Sequence, residues 1–150
     1  MLTPAEVFEL IPQKPPFRFV DRVTALDADH IVTEYTFRAD ESFYAGHFPS
    51  FPVTPGVILL EAMSQTAFAL PIYLLSAEMP IADIVKIVMM TTEASVELAH
   101  IVRPGDTVRM TARKSFWRKQ KLKATVELTL ADGTPAAQAT VAGVGVARGG

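Results

Sequence analysis

Few side chains in this sequence are placed to move a proton, and two of them stand apart by their surroundings. His47 lies in Gly46-His47-Phe48-Pro49, an irregular stretch walled by Phe43, Tyr44, Phe51 and Pro52. A histidine held among aromatics and prolines is fixed and partly desolvated, which is what a general base near neutral pH requires. Glu61 stands in a run that is otherwise almost wholly apolar. A buried carboxylate is costly without a partner, and Gln65, one helical turn further on, is spaced to give it a hydrogen bond. The plainer reading makes Glu61 a first-turn acid favoured by the helix dipole at about 0.3–1 kcal/mol. That reading needs an exposed face, and this segment has little of one. Pro55-Gly56 precedes Glu61 and opens the helix, where the first amides have no intrahelical acceptor and the dipole is positive. With no Cβ, Gly56 lets a carbonyl oxygen come close to its N–H. A base, an acid and an oxyanion donor are together what is needed to take a proton from beside a carbonyl and expel a β-hydroxyl. The trio needs neither metal nor cofactor. His30 and His100 have no carboxylate at metal or triad spacing and read as structural or solvated.

The totals narrow the field. A chain of 150 residues, 49% hydrophobic and 20% charged, has the size and composition of one globular domain, taken here as residues 1–150. A net charge of −2 gives no global attraction to nucleic acid or to an anionic membrane. The absence of cysteine removes disulfides, thiolate nucleophiles and Cys-based metal sites. It fits a reducing compartment. Met1-Leu2-Thr3-Pro4-Ala5-Glu6 lacks the basic-then-apolar layout of a signal peptide, so a cytoplasmic location is expected. Val57 to Ala77 is about long enough to span a bilayer at ~1.5 Å per residue. It carries Glu61, Ser64, Gln65 and Pro71 with no basic flank, and is expected to be a buried core helix instead.

The elements around these residues follow from periodicity and turn chemistry. Thr3, Pro4 and Glu6 form a capping box ahead of a short amphipathic helix that Pro12 closes. Strands are expected over residues 17–25, 31–37, 84–90, 94–101, 107–117, 122–130 and 136–146. Arg103-Pro104-Gly105-Asp106 and Asp132-Gly133-Thr134-Pro135 are turns. A helix apolar nearly all round must be enclosed, and strands joined by short turns pair antiparallel. Both conditions are met by an α+β hot-dog fold, an antiparallel sheet wrapped around one long buried helix. Such a sheet leaves an edge open to a second copy.

The stretch Gly46-His47-Phe48-Pro49-Ser50-Phe51-Pro52-Val53-Thr54-Pro55-Gly56-Val57-Ile58-Leu59-Leu60-Glu61-Ala62-Met63-Ser64-Gln65 resembles the signature of the FabZ-type 3-hydroxyacyl-acyl-carrier-protein dehydratases. Pro16-Phe17-Arg18-Phe19-Val20-Asp21-Arg22-Val23 and Pro104-Gly105-Asp106 extend the resemblance over nearly the whole chain. The resemblance implies that His47 handles the α-proton, that Glu61 assists departure of the β-hydroxyl, and that the Gly56 amide polarises the thioester carbonyl. Phe48, Pro55 and Gln65 would line the substrate beside them. It further implies a substrate carried on the phosphopantetheine arm of acyl carrier protein. It also implies a dimer whose sites combine His47 and Glu61 of different subunits, often within a trimer of dimers. FabA-type enzymes, which also isomerise the product, carry aspartate at the Glu61 position, so simple dehydration to the trans-2-enoyl product is expected. Ser50-Phe51 stands where Gly-Lys is usual, and the stretch from Lys86 to Leu98 departs from the family pattern.

Arg113, Lys114, Arg118, Lys119, Lys121 and Lys123 surround Phe116 and Trp117. Three readings stand: a solvated hairpin whose charges deter edge pairing, a docking patch for an acidic carrier protein, or a nucleic-acid patch, which the overall acidic balance disfavours. Two alternatives to the dehydratase also stand. A hot-dog thioesterase would use a helix carboxylate and a helix-end amide but would not need His47. A subunit of a heteromeric dehydratase, in a fatty-acid, polyketide or polyene pathway, would pair with a related hot-dog chain.

Overall fold

The computed structural model describes residues 1–148. Helix α1 (Pro4–Leu10) starts as expected, with Thr3 Oγ1 accepting from the Glu6 amide and the Glu6 carboxylate accepting from the Thr3 amide. Strands β1 (Arg22–Leu26) and β2 (His30–Thr36) follow, then a 3-10 turn (Ser42–Ala45) and the long helix α2 (Gly56–Leu75). After the short helix α3 (Ile81–Ile84) come β3 (Ile87–Leu98), β4 (Thr107–Arg118), β5 (Lys121–Leu130) and β6 (Pro135–Ala147). The six strands form one sheet in the order β1-β2-β4-β5-β6-β3, antiparallel at every junction.

This is the hot-dog arrangement. Alternate residues of β4 and β5, among them Val108, Met110, Ala112, Leu122, Ala124, Val126 and Leu128, are fully buried against α2, which contributes Leu59, Ala62, Met63, Ala67 and Leu70. Period-two burial on a strand and burial around most of a helix are what a sheet curled on one helix produces. Deep in this core the hydroxyls of Thr33 and Thr66 lie 2.7 Å apart. Helix α2 is the one described helix long and apolar enough to cross a membrane, and 61% of its apolar window is buried inside the protein.

Three expectations need correction. Residues 17–20 are not strand: the Phe19 amide and the Phe17 carbonyl bond to the side chain of Gln65 on α2, so the segment docks on the helix, with Phe19 and Val20 both buried. Ladder pairing begins only at Asp21, whose amide reaches the Glu34 carbonyl. The two strands expected over 84–101 are one, β3, with an irregularity between Thr91 and Glu93. A bulge of one residue interrupts alternation without ending the strand. Ile84 belongs to α3 and not to a strand. Finally, α2 ends at Leu75, short of Ala77.

The turns behave as their residues dictate. Gly105 and Gly133 have φ of 91° and 89°, which only glycine adopts without strain. Lys119 and Gln120, at φ 53° and 58°, make the two-residue turn that joins β4 to β5. Strand β3 is the sheet edge next to β6, and Met90 and Leu98 on it are each 54% exposed.

Candidate active site

The loop between the 3-10 turn and α2 carries His47, and its shape comes from backbone and side-chain hydrogen bonds more than from packing. The His47 amide donates to Phe43 O, and the amides of Phe48 and Phe51 each donate to the other's carbonyl. The Val53 amide returns to His47 O at 2.9 Å. His47 Nδ1 lies 3.0 Å from the Val53 carbonyl oxygen. A carbonyl only accepts, so Nδ1 carries the hydrogen and the neutral ring keeps Nε2 as its free lone pair. Phe48 stacks on the imidazole with centroids 4.4 Å apart and planes 24° from parallel. Phe48 and Phe51 are otherwise exposed, at 53% and 48%.

Glu61 is supported differently. It is half-buried on the second turn of α2, and its Oε2 accepts from Gln65 Nε2 at 2.8 Å. Gln65 is buried and fully engaged: Nε2 also donates to Phe17 O at 2.9 Å, and Oε1 accepts from the Phe19 amide at 2.8 Å. The i, i+4 partnership expected from the sequence is therefore present, with two backbone anchors that sequence spacing did not disclose.

Pro55 caps α2, and its carbonyl takes the Ile58 and Leu59 amides. Among the described residues the Gly56 amide donates to no backbone carbonyl, the usual condition of a first-turn amide. A Cβ on residue 56 would stand 2.5 Å from Leu98 Cδ1, so glycine here lets the Leu98 side chain pack against the helix start. Val53, Thr54, Gly56, Leu59, Leu98 and Val102 line a cavity of about 300 Å³ beside that amide.

The loop base, α2 and the residues following β3 thus meet around Pro55. Among the described residues no hydrogen bond joins His47 to Glu61. Sequence reasoning assigned no bonding role to three groups at the loop base: the Val53 carbonyl, the Tyr44 hydroxyl and Thr54. Tyr44 and Thr54 are buried residues whose hydroxyls lie 2.6 Å apart. A tyrosine and a threonine flanking a histidine loop were the available signal. His30 opens β2 and pairs with Asp27 at 2.8 Å; this bond is the main reason the Asp27 carboxyl is lowered to about 2. His100 Nδ1 contacts Ile101 O on the surface.

A family model described as a FabA-like domain matches residues 11–140. The chain belongs to the FabA-like family. Similar relatives of this FabA-like chain include a 3-hydroxyacyl-[acyl-carrier-protein] dehydratase FabZ of Solibacter usitatus (strain Ellin6076), 33% identical over 91% of this chain and 80% of that one. The protein of the same description from Streptococcus uberis (strain ATCC BAA-854 / 0140J) is 36% identical over 94% of this chain and 96% of its own length. Among solved structures, the dehydratase heterocomplex ApeI:P from Xenorhabdus doucetiae superposes with a TM-score of 0.73 at 14% identity, covering 96% of this chain and 91% of that one. That likeness speaks for the fold.

Proposed function

We propose that this FabA-like chain dehydrates 3-hydroxyacyl thioesters carried on acyl carrier protein to trans-2-enoyl thioesters. The observation that carries the reading is the His47–Val53 bond, which commits Nδ1 and leaves Nε2 as a base. In the proposed step Nε2 takes the α-proton while the thioester oxygen, gaining charge, is met by the Gly56 amide. The Cβ–O bond breaks, the carboxyl proton of Glu61 leaves with the hydroxyl as water, and the Cα–H electron pair becomes the new double bond. Phe48 and Pro55 wall the substrate, and Gln65, buried and committed, acts by steadying Glu61. The FabZ names of the relatives support the substrate class.

His47 and Glu61 of one site are proposed to come from two copies of the chain. The exposed apolar residues Phe48, Phe51, Val57, Met90 and Leu98, together with the open edge of β3, support an association of that kind. For carrier docking, β4–β5 presents Arg113, Phe116, Arg118, Lys121 and Lys123 on the sheet's outer face, where Phe116 pairs with Lys123 and Arg118 with Lys121. Lys114 turns away from this patch to Asp29, 3.6 Å from its carboxylate.

The test is an assay of the purified chain on carrier-linked 3-hydroxyacyl and trans-2-enoyl substrates, following enoyl formation, hydration and free thiol. Reversible interconversion without thiol release is expected, and thiol release as the main product overturns the reading in favour of a thioesterase. Glu61→Gln should lower the rate by about a hundredfold. Mixing the impaired His47→Ala and Glu61→Gln chains under subunit exchange should raise the rate above that of either alone; no rise in demonstrably mixed oligomers counts against the shared site.

A further inference from the structure

The loop bearing His47 has little packing of its own. Ala45, Gly46, Phe48, Pro49, Ser50, Phe51 and Pro52 are all exposed. Apart from the stacked Phe48 ring, the aim of the imidazole therefore rests on the direction of one carbonyl, that of Val53. A peptide unit is planar, so the Val53 C=O and the Thr54 N–H turn together. The Thr54 N–H donates to Val102 O at 2.8 Å, which ties that plane to the segment after β3. The Thr54 side chain holds it from a second direction, through the 2.6 Å bond to the Tyr44 hydroxyl.

Tyr44 is a firm post for such a tie. It is 5% exposed, its amide donates to Glu41 O, and its ring lies against Phe43, which meets Phe19 in the core. Glu41 is itself held by the Tyr35 hydroxyl at 2.8 Å and the Arg38 amide at 3.0 Å. Burial, partly opposed by the bond to Thr54, pushes the Tyr44 hydroxyl up to about 12, so the group is an uncharged phenol throughout any working pH range. Its ring provides the packing and its hydroxyl serves Thr54, so removing the hydroxyl separates the two roles.

We propose that Tyr44 is a positioning residue: by bonding Thr54 across the base of the loop it sets the Val53 carbonyl, and so holds His47 as the Nδ1–H tautomer with Nε2 directed at the substrate. The inference rests on His47 being the base of the proposed dehydration, and it adds a device that the reaction scheme does not contain.

The test uses Tyr44→Phe, Thr54→Val, the double variant and Thr54→Ser in the full chain. Tyr44→Phe keeps the ring but leaves the buried Thr54 hydroxyl unpaired, whereas the double variant removes both hydroxyls and with them the unpaired group. In Tyr44→Phe and Thr54→Val, kcat should fall about tenfold or more with KM nearly unchanged, as for a misdirected catalytic group. Thr54→Ser should keep the wild-type rate. The double variant should regain thermal stability without regaining kcat. Nitrogen-15 spectra of the His47 ring should show a protonated Nδ1 in the wild type and mixed tautomers in Tyr44→Phe. Wild-type kcat and ring signals in Tyr44→Phe, or recovery of kcat together with stability in the double variant, would overturn the proposal. Failure of the dehydration reading looks different: His47→Ala would then keep the wild-type rate, while the ring spectra would still report whether Tyr44 sets the tautomer.

Discussion

Helix α2 and the loop before it join at Pro55, yet they hold their functional groups by different means. Glu61 sits on a helix anchored by a broad apolar contact, with Ala62, Met63, Ala67 and Leu70 fully buried. His47 sits on a loop whose tip is exposed and whose form depends on a handful of hydrogen bonds, each worth about 0.5–1.5 kcal/mol net. Apolar burial fixes an element's position but leaves a side chain's rotation to local partners. Directional bonds do the reverse. In the proposed reaction the base must present one particular ring nitrogen, which only directional bonds can secure.

This contrast can be broken from either side. The largest effect is expected for His47→Ala: a loss of about a thousandfold or more in kcat for dehydration, with a melting temperature close to wild type because the loop tip packs on little. A large fall in melting temperature would show that the loop is structurally coupled to the core after all. Gln65→Leu should be next. It removes the donor to Glu61 and strands the Phe19 amide and the Phe17 carbonyl, so it should lower stability by about 2–3 kcal/mol and the rate by at least tenfold. Denaturant unfolding beside steady-state kinetics separates the two losses; an unchanged rate would remove the bond to Glu61 from any role in turnover. The smallest is Gly56→Ala. Its Cβ meets the flexible tip of Leu98, which can yield, and alanine is the better helix former by up to about 1 kcal/mol. Stability should therefore move little while kcat falls several-fold, because Leu98, pushed aside by the new methyl, crowds the cavity it lines with residue 56. Should kcat hold, the approach to residue 56 is not used.

The sequence disclosed the parts of the molecule governed by local periodicity. Strands β4, β5 and β6 were legible to within two residues at either end because their alternation is regular, and α2 was legible because its apolar run starts at Pro55-Gly56. Phe17 to Val20 misled because they alternate like a strand while their backbone partners lie on Gln65, remote in sequence. The bulge in β3 misled because a local break in alternation looks the same whether a strand ends or kinks. At the candidate site, His47, Glu61 and Gln65 announced themselves by residue type and spacing. The Val53 carbonyl did not, since every residue has one and only folding gives it a direction. The Tyr44–Thr54 contact was hidden for a related reason: each residue taken alone passes for ordinary core.

The orientation of one amide also bears on the chemistry of the carboxyl beside it. Gln65 Oε1 is committed to the Phe19 N–H, so its NH2 faces the other way, toward Phe17 O and Glu61 Oε2. An oxygen already receiving an N–H is the poorer seat for an acidic hydrogen. An acid form of Glu61 is accordingly biased to carry its hydrogen on Oε1, which makes the two oxygens inequivalent: one moors the group, and the other would be the donor in the proposed step.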